Sequence, residues 1–279
     1  MTGAGRLVLV ATPIGNLADL SPRAVEALRA AGAIACEDTR RTGRLLQHAG
    51  VPAPRLIVAN EHTEVGAAAE ITRLLDAGVT VAVVTDAGTP GVSDPGERLV
   101  GAAVAAGHVV EAIPGPSAAL AALVVSGLPT GRFVVEGFLP RAGSGRRRRL
   151  AELAGERRTV VLYEAPHRLA RTLSDLVVVH GPERAVTISR ELTKLHEETW
   201  RGTLGDAVER VAAVEPRGEH VIVVAGAPDA PPATADDVRA ALDAALAGGL
   251  DRKAAVAAVA AALGVPKRIV YDESLRRRP

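Results

Sequence analysis

Short runs without a polar side chain, each followed by a loop rich in glycine and proline, constrain this chain more than any other feature. Leu7-Val8-Leu9-Val10 leads into Ala11-Thr12-Pro13-Ile14-Gly15-Asn16, and Val81-Ala82-Val83-Val84 leads to Asp86-Ala87-Gly88-Thr89-Pro90-Gly91-Val92-Ser93-Asp94-Pro95-Gly96. A strand that is apolar on both faces must be covered on both, as in a parallel sheet with helices above and below. Open sheets of that kind take small ligands at the carboxyl ends of their strands. The two loops therefore predict a ligand-handling enzyme.

The elements between these loops alternate. Ser21-Pro22 is a helix start, with Val25 and Leu28 on one face. Ala33–Cys36 and Leu56–Val58 read as strands, and Ile71, Leu74 and Leu75 mark a helix ended by Gly78. Strand Thr80–Val84, a helix with Leu99, Val100 and Val104 that stops at Gly107, and strand His108–Ile113 follow. Short apolar runs separated by helical segments predict parallel strands with crossover helices.

Gly127-Leu128-Pro129-Thr130-Gly131 reads as a hinge, after which the pattern restarts. Strands Phe133–Gly137, Thr159–Tyr163, Ala185–Ser189 and His220–Ala225 are interleaved with helices Pro166–Val178 and Leu204–Val214. Some of these strands are joined by loops alone, so a mixed sheet is expected. Pro228-Asp229-Ala230-Pro231-Pro232 is a stiff linker. Beyond it, Thr234 and Asp251 open helices, Gly248-Gly249 and Gly264 stop them, and Pro266 opens a third. This helix-turn-helix-like tail fits either a nucleic-acid reader or a packing module. The expected domains are 1–126, 132–227 and 234–279.

Composition narrows the classes. Apolar residues make up 48% of the 279, enough for a sizeable core, but aromatics supply only 2%, so Ala, Val and Leu must fill it. The single cysteine, Cys36, excludes an internal disulfide and any multi-cysteine metal site. Apolar runs fall well short of the ~20 residues of a membrane helix, and the first residues lack a signal-peptide pattern. A soluble cytoplasmic protein is expected. Its net charge is only +1, although arginine dominates the bases and lysine occurs only at Lys194, Lys253 and Lys267.

The loops carry the chemistry. Neither G-x-G-x-x-G nor a P-loop Gly-Lys-Ser/Thr occurs, which removes the main support for dinucleotide and triphosphate readings. The stretch Asp86–Gly96 is longer and richer in glycine than a turn needs, and is expected to bind. Asp86 is placed to accept hydrogen bonds from a ribose or an amino group, whereas Asp94 is expected to cap the next helix. Ser117, in Pro114-Gly115-Pro116-Ser117, is either an N-cap or a ligand contact.

Ala11-Thr12-Pro13-Ile14-Gly15-Asn16-Leu17, Glu37-Asp38-Thr39-Arg40, Asp86-Ala87-Gly88-Thr89-Pro90, Pro114-Gly115-Pro116-Ser117, Glu136-Gly137-Phe138-Leu139-Pro140, Tyr163-Glu164-Ala165-Pro166-His167-Arg168 and Arg190-Glu191-Leu192-Thr193-Lys194 stand in this order. Together they resemble the tetrapyrrole methylase superfamily, and within it the family that methylates the ribose 2′-oxygen of a cytidine in 16S ribosomal RNA. The likeness runs from about Leu7 to Gly226, and the tail is similar to that family's helical extension. It implies a two-domain α/β methylase fold, a parallel-sheet N-terminal domain and a mixed-sheet C-terminal one, with S-adenosylmethionine in the cleft between them. It also implies a homodimer acting on a decoding-centre cytidine of 16S rRNA in the small ribosomal subunit, with no metal and no membrane. Cofactor contacts carried over from the family fall on Pro13, Ile14, Gly15, Asp86, Gly88, Thr89, Val92, Ser117, Ala118, Leu162, Tyr163 and Ala225. The chain departs from the family at Ala59-Asn60-Glu61-His62-Thr63-Glu64, where an aromatic and a first histidine are usual, and at His196, where an aromatic is common.

Methyl transfer to a ribose hydroxyl needs alignment and a proton acceptor. Glu37, Asp38, Glu61, His62, Glu164 and Glu191 are the acidic and basic candidates. Asp38 and Glu164 are expected to orient substrate or base, His167 to accept a proton, and Arg40 and Arg168 to grip phosphates. Arg146, Arg147, Arg148 and Arg149, read with Arg141 as a mobile basic loop, are expected to bind RNA phosphates, and Arg276-Arg277-Arg278 to add non-specific attraction. The competing readings are a methyltransferase acting on a tetrapyrrole or other small molecule, and a non-catalytic RNA-binding assembly factor.

Overall fold

A computed structural model describes residues 5–60, 62–228 and 233–276 of the chain, which divide into two compact units, Met1–Ala227 and Pro228–Pro279. The first unit opens with β1 (Arg6–Val10), α1 (Pro22–Ala30), β2 (Ala33–Cys36), α2 (Thr39–His48), β3 (Arg55–Val58), α3 (Glu64–Asp76), β4 (Val81–Val83), α4 (Glu97–Ala105), β5 (Val109–Ile113) and α5 (Ala118–Val125). The strands form one sheet in the order β3-β2-β4-β1-β5, and every neighbouring pair is parallel. Central β2 and β4 are buried at every residue, which explains their unbroken apolar sequence. Ile34, Leu28 and Leu46 pack on one face, and Leu7, Ile71, Leu75 and Leu99 on the other.

Local chemistry sets the helix starts. Ser21 Oγ accepts the Ala24 N–H, and Pro22 fills the first helical position, as expected. Asp38 caps α2 by accepting the Arg40 N–H at 2.8 Å.

A second sheet follows: β6 (Phe133–Phe138), α6 (Gly143–Ala154), β7 (Thr159–Glu164), α7 (Pro166–His180), β8 (Ala185–Arg190), β9 (Glu198–Thr203), α8 (Leu204–Ala213) and β10 (His220–Val224). Its order is β6-β7-β10-β8-β9, with β6 and β7 parallel and the other pairs antiparallel, so the sheet is mixed. The arginine run from Arg146 to Arg149 is not a loop. It lies within α6, because Leu150 and Leu153 pack one side of that segment into the core of the second sheet.

Apolar residues from both sheets meet at their junction, with Ile14, Ala119 and Leu123 facing Val161, Leu192 and Val221. Two glycines allow the close approach. A Cβ on Gly15 would lie 2.4 Å from Lys194 Cγ, and one on Gly137 2.7 Å from Ser93 Oγ.

The second unit holds α9 (Ala235–Ala247), α10 (Arg252–Leu263) and α11 (Lys267–Arg276). Thr234 and Asp237 form a reciprocal capping box, Asp251 caps α10, and Gly264 ends it with φ of +62°. Val238, Leu242, Val259 and Val270 form the core of this unit. Residues 229–232 of the expected linker and the Arg277-Arg278 part of the tail lie outside the described residues. Among the described residues no helix is long and apolar enough to cross a membrane.

Candidate active site

Because β1 lies between β4 and β5, the loops that follow these three strands meet at one end of the sheet. They are tied together. Thr12 N–H donates to Gly88 O at 2.8 Å, Gly88 N–H donates to Thr12 O at 3.1 Å, and Thr89 Oγ1 donates to Pro116 O at 3.1 Å. Gly88 has φ of +87°, a backbone state that a side chain disfavours. The tied loops form one wall of a cavity of about 320 Å³, and the second sheet supplies the other.

The cavity wall is apolar over much of its extent. Ile14, Val92 and Ala118 line it from the first sheet, and Phe138, Leu192 and Val221 from the second. Phe138 and Tyr163 pack ring against ring with centroids 5.5 Å apart. Polar groups stand at a few points, the pattern of a small-molecule site. Lys194 Nζ bridges Glu191 and Glu219, each at 2.9 Å. His220 is buried, its Nδ1 has no hydrogen-bond partner among the described residues, and burial pushes its imidazole below the usual histidine range.

Three acids line this cavity, Asp94, Glu164 and Glu219, and Asp94 is the one with a strongly raised carboxyl pKa. Burial, with the neighbouring Glu37 and Asp86 charges adding to it, pushes its carboxyl up to about 7. Asp94 does not cap α4, contrary to the sequence expectation. Gly96 occupies the cap position with φ of +138°, and Glu64 reaches across from α3 to accept the Gly96 and Arg98 N–H groups at 2.8 and 3.2 Å. A carboxylate from another helix satisfies the start of α4, which leaves Asp94 facing the cavity. Among the described residues no cluster of His, Cys, Asp or Glu could hold a metal ion.

The sequence profile of the Tetrapyrrole (Corrin/Porphyrin) Methylases matches residues 6–208. The ribosomal RNA small subunit methyltransferase I of Synechocystis sp. is 48% identical over 97% of this chain and 98% of its own length. The protein of that name from Mycobacterium tuberculosis is 48% identical over 99% and 96% of the two chains. The chain belongs to the ribosomal RNA small subunit methyltransferase I family. Its fold is also that of solved tetrapyrrole methylases. The methyltransferase CobJ superposes with a TM-score of 0.62 at 22% identity, over 80% of this chain and 95% of that one. Uroporphyrin-III-C-methyltransferase from Thermus thermophilus gives 0.57 at 22% identity, over 79% and 94%.

Against this family frame, the residues carried over for the cofactor divide. Ile14, Gly88, Thr89, Val92, Ser117, Ala118 and Tyr163 line the cavity. Pro13 and Gly15 flank it without lining it, and Gly15 instead lies against Lys194 and Thr193. Asp86 is turned away toward Arg41, 3.4 Å from its Oδ2, and lines a different cavity. Leu162 packs into the core of the second sheet, because strand alternation sends Val161 and Tyr163, not Leu162, to the cleft face. Ala225 does not line the cavity, for a simple reason of direction. β10 runs antiparallel to β7, so His220 pairs with Glu164 at the cleft and Ala225 follows the far end.

Glu164, Arg168 and Arg146, assigned from sequence to catalysis and to phosphates, instead share one buried network. Arg146 is only 3% exposed and donates to Asp175 Oδ2, to Pro140 O and to Thr172 Oγ1. Thr172 Oγ1 donates to Glu164 Oε2 at 2.5 Å, and Arg168 contacts Glu164 Oε1 at 3.1 Å while donating to Leu139 O. Ala165 N–H also donates to Glu164 Oε1. Glu164 borders the cavity, but both its oxygens are held, so it is not a free base. Arg149 is paired with Glu136 and Glu152, leaving Arg147 and Arg148 as the exposed cations of the run.

The other candidates are equally constrained. Asp38 hydrogen-bonds the side chain and backbone of Arg40, which holds its carboxyl down at about 2, so neither residue is free for the role expected of it. His167 is exposed at the start of α7 and does not line the cavity. Glu37 accepts the Asp86 N–H, Glu191 is held by the Glu219 N–H and Lys194, and His62 lies exposed in the turn before α3. Glu61 lies outside the described residues. Sequence reasoning missed Phe138, Leu192, Lys194, Glu219 and His220 as lining residues. Lys194 carried a usable signal, being one of three lysines in a chain that otherwise uses arginine.

Proposed function

We propose that this chain transfers a methyl group from S-adenosylmethionine to the ribose 2′-oxygen of a decoding-centre cytidine in 16S rRNA, acting on the assembled small subunit as a cytoplasmic homodimer. The single observation that carries the reading is Asp94, a carboxyl poised near neutrality in the cavity between the sheets. The near-full-length likeness to ribosomal RNA small subunit methyltransferases supports the substrate class.

The residues present suit the cofactor. The apolar walls at Ile14, Val92, Leu192 and Val221 would take an adenine ring, and His220 Nδ1, without a partner among the described residues, offers a hydrogen bond to a polar group. When bound, S-adenosylmethionine supplies an electrophilic methyl on a sulfonium that leaves as a neutral thioether. The protein's part is then to align the ribose oxygen with that methyl, a positional effect of several kcal/mol. Asp94, which lines the cavity, would take the 2′-hydroxyl proton of a ribose held against that methyl. A general base contributes most when its pKa lies near the working pH, which the burial of Asp94 arranges.

Arg147 and Arg148, exposed on α6, are left to attract RNA phosphates. Leu120, Val124 and Val125 stand exposed on α5, a helix apolar on every side, which supports burial against a second copy of the chain. Mass spectrometry of small-subunit RNA from cells lacking this protein tests the reading. The expected result is the loss of one ribose methyl from a decoding-centre cytidine, and an unchanged modification pattern would overturn it.

A further inference from the structure

A second cavity, of about 400 Å³, adjoins the same loop on which the cleft is built: Asp86 lines this cavity, while Ala87 and Gly88 line the cleft. Arg41 and Arg44 border it from α2, three residues apart and therefore on one helix face. Leu17 and Leu45 add apolar surface. Arg41 approaches Asp86 Oδ2 at 3.4 Å, whereas Arg44 is exposed and makes no ion pair among the described residues. Asp86 Oδ1 is buried with no hydrogen-bond partner among the described residues.

These groups specify a ligand. A buried carboxylate oxygen without a donor is costly, and a hydroxyl or amino group from outside would satisfy it. Two guanidinium groups on one helix face suit a phosphate, which they can hold through several donors. The apolar edge between them suits the flat face of a sugar or base. Cation, buried acceptor and apolar edge in one groove describe a nucleotide.

Building on the RNA-methylation reading, we infer that this groove holds a nucleotide flanking the target in the RNA strand, its phosphate on Arg41 and Arg44 and a hydroxyl or amino group on Asp86 Oδ1. The shared loop then couples the two sites. A nucleotide seated against Asp86 fixes the segment whose next residues line the catalytic cavity, so strand position is set before transfer.

The test is Arg44→Ala in the full chain, because Arg44 is exposed and its loss leaves no buried partner. Binding of small subunits that lack the modification is measured by filter retention across a range of salt, alongside calorimetry of S-adenosylmethionine. Arg44→Ala is expected to weaken subunit binding by about three- to tenfold and to lower the salt slope by about one, as for a lost phosphate contact. Cofactor affinity should be retained, and KM for subunits should rise. Arg44→Lys should recover part of the binding, and Arg29→Ala, which removes an exposed charge from α1, should alter neither measurement. If wild type methylates subunits and Arg44→Ala matches it in affinity and slope, the groove has no RNA role. If Arg44→Ala loses cofactor binding in step with RNA binding, the groove belongs to the cofactor and the inference is overturned. If wild type neither binds nor methylates subunits, the proposed function falls and takes this inference with it.

Discussion

Glu64 of α3 closes the first turn of α4 by accepting the Gly96 N–H at 2.8 Å, with the Arg98 N–H on the same oxygen at 3.2 Å. Glu64 is 7% exposed and its bond to the Gly96 N–H is buried, so its removal would leave that N–H without water as a substitute. Glu64→Ala is therefore expected to cost about 1–3 kcal/mol of stability. Thermal unfolding checks the loss. A second effect should accompany it, because Asp94 sits in the loop that Glu64 anchors, and cofactor affinity should fall as well.

Asp94 carries a pH signature. Its folded carboxyl titrates near 7, above the ordinary aspartate value of 3.8. The ionised form is the base, so the transfer rate should rise with pH through about 7 and then level off. Asp94→Asn should remove that rise and lower kcat by about 10²–10⁴-fold. Stability should move the other way. A raised carboxylate pKa means the unfolded chain ionises first, so the wild type loses stability as pH climbs from 3.8 through 7. Asn does not ionise, and the variant should be more stable than wild type at pH 8 by about 1–2 kcal/mol, solvent screening of a partly exposed group included, with no difference at pH 3.

Arg146 and its neighbours in sequence should behave in opposite ways. Arg146→Ala strands Asp175 and unties Thr172 from the Glu164 network, and is expected to cost about 3–5 kcal/mol, read by urea unfolding. Arg147→Ala and Arg148→Ala should leave the unfolding midpoint nearly unchanged and instead reduce the salt dependence of subunit binding.

Gly137 tests how closely the two sheets must meet. Its φ is +72°, and a Cβ there would lie 2.7 Å from Ser93 Oγ, beside the cavity. Gly137→Ala should weaken S-adenosylmethionine binding by about tenfold by forcing the Ser93 loop outward, about 1.4 kcal/mol of affinity. Adding Ser93→Gly should recover part of that loss, because it removes the clashing oxygen and relaxes a residue whose own φ is +62°. Calorimetry on the single and double variants measures both effects.

What could be read from sequence was what local chemistry decides. The buried runs of β1, β2 and β4, the Ser21-Pro22 start and the Thr234 cap all follow from residues adjacent in the chain. α5 was not legible, because Ala-Ala-Leu-Ala-Ala-Leu-Val-Val has no polar face to reveal a period. β9 was missed because its residues are half-buried apart from the exposed Arg201, with no alternation. In the site, the differences between expected and observed surroundings share a cause: charged groups acquire their partners from far off in sequence. Glu164 meets Thr172 and, through it, Arg146; Asp94 is released by Glu64; and the reversal of β10 puts His220, not Ala225, at the cleft. Pairings of that kind are decided by topology.

The most direct measurement is transfer itself: purified protein, S-adenosylmethionine labelled in its methyl group, and small subunits from cells lacking this protein. The label should enter the RNA to about one methyl per subunit, survive base removal by remaining on a cytidine ribose, and enter about 10²–10⁴-fold more slowly with Asp94→Asn. Label that enters protein, a base or a porphyrinogen instead, or incorporation by the Asp94→Asn variant at the wild-type rate, would contradict the account.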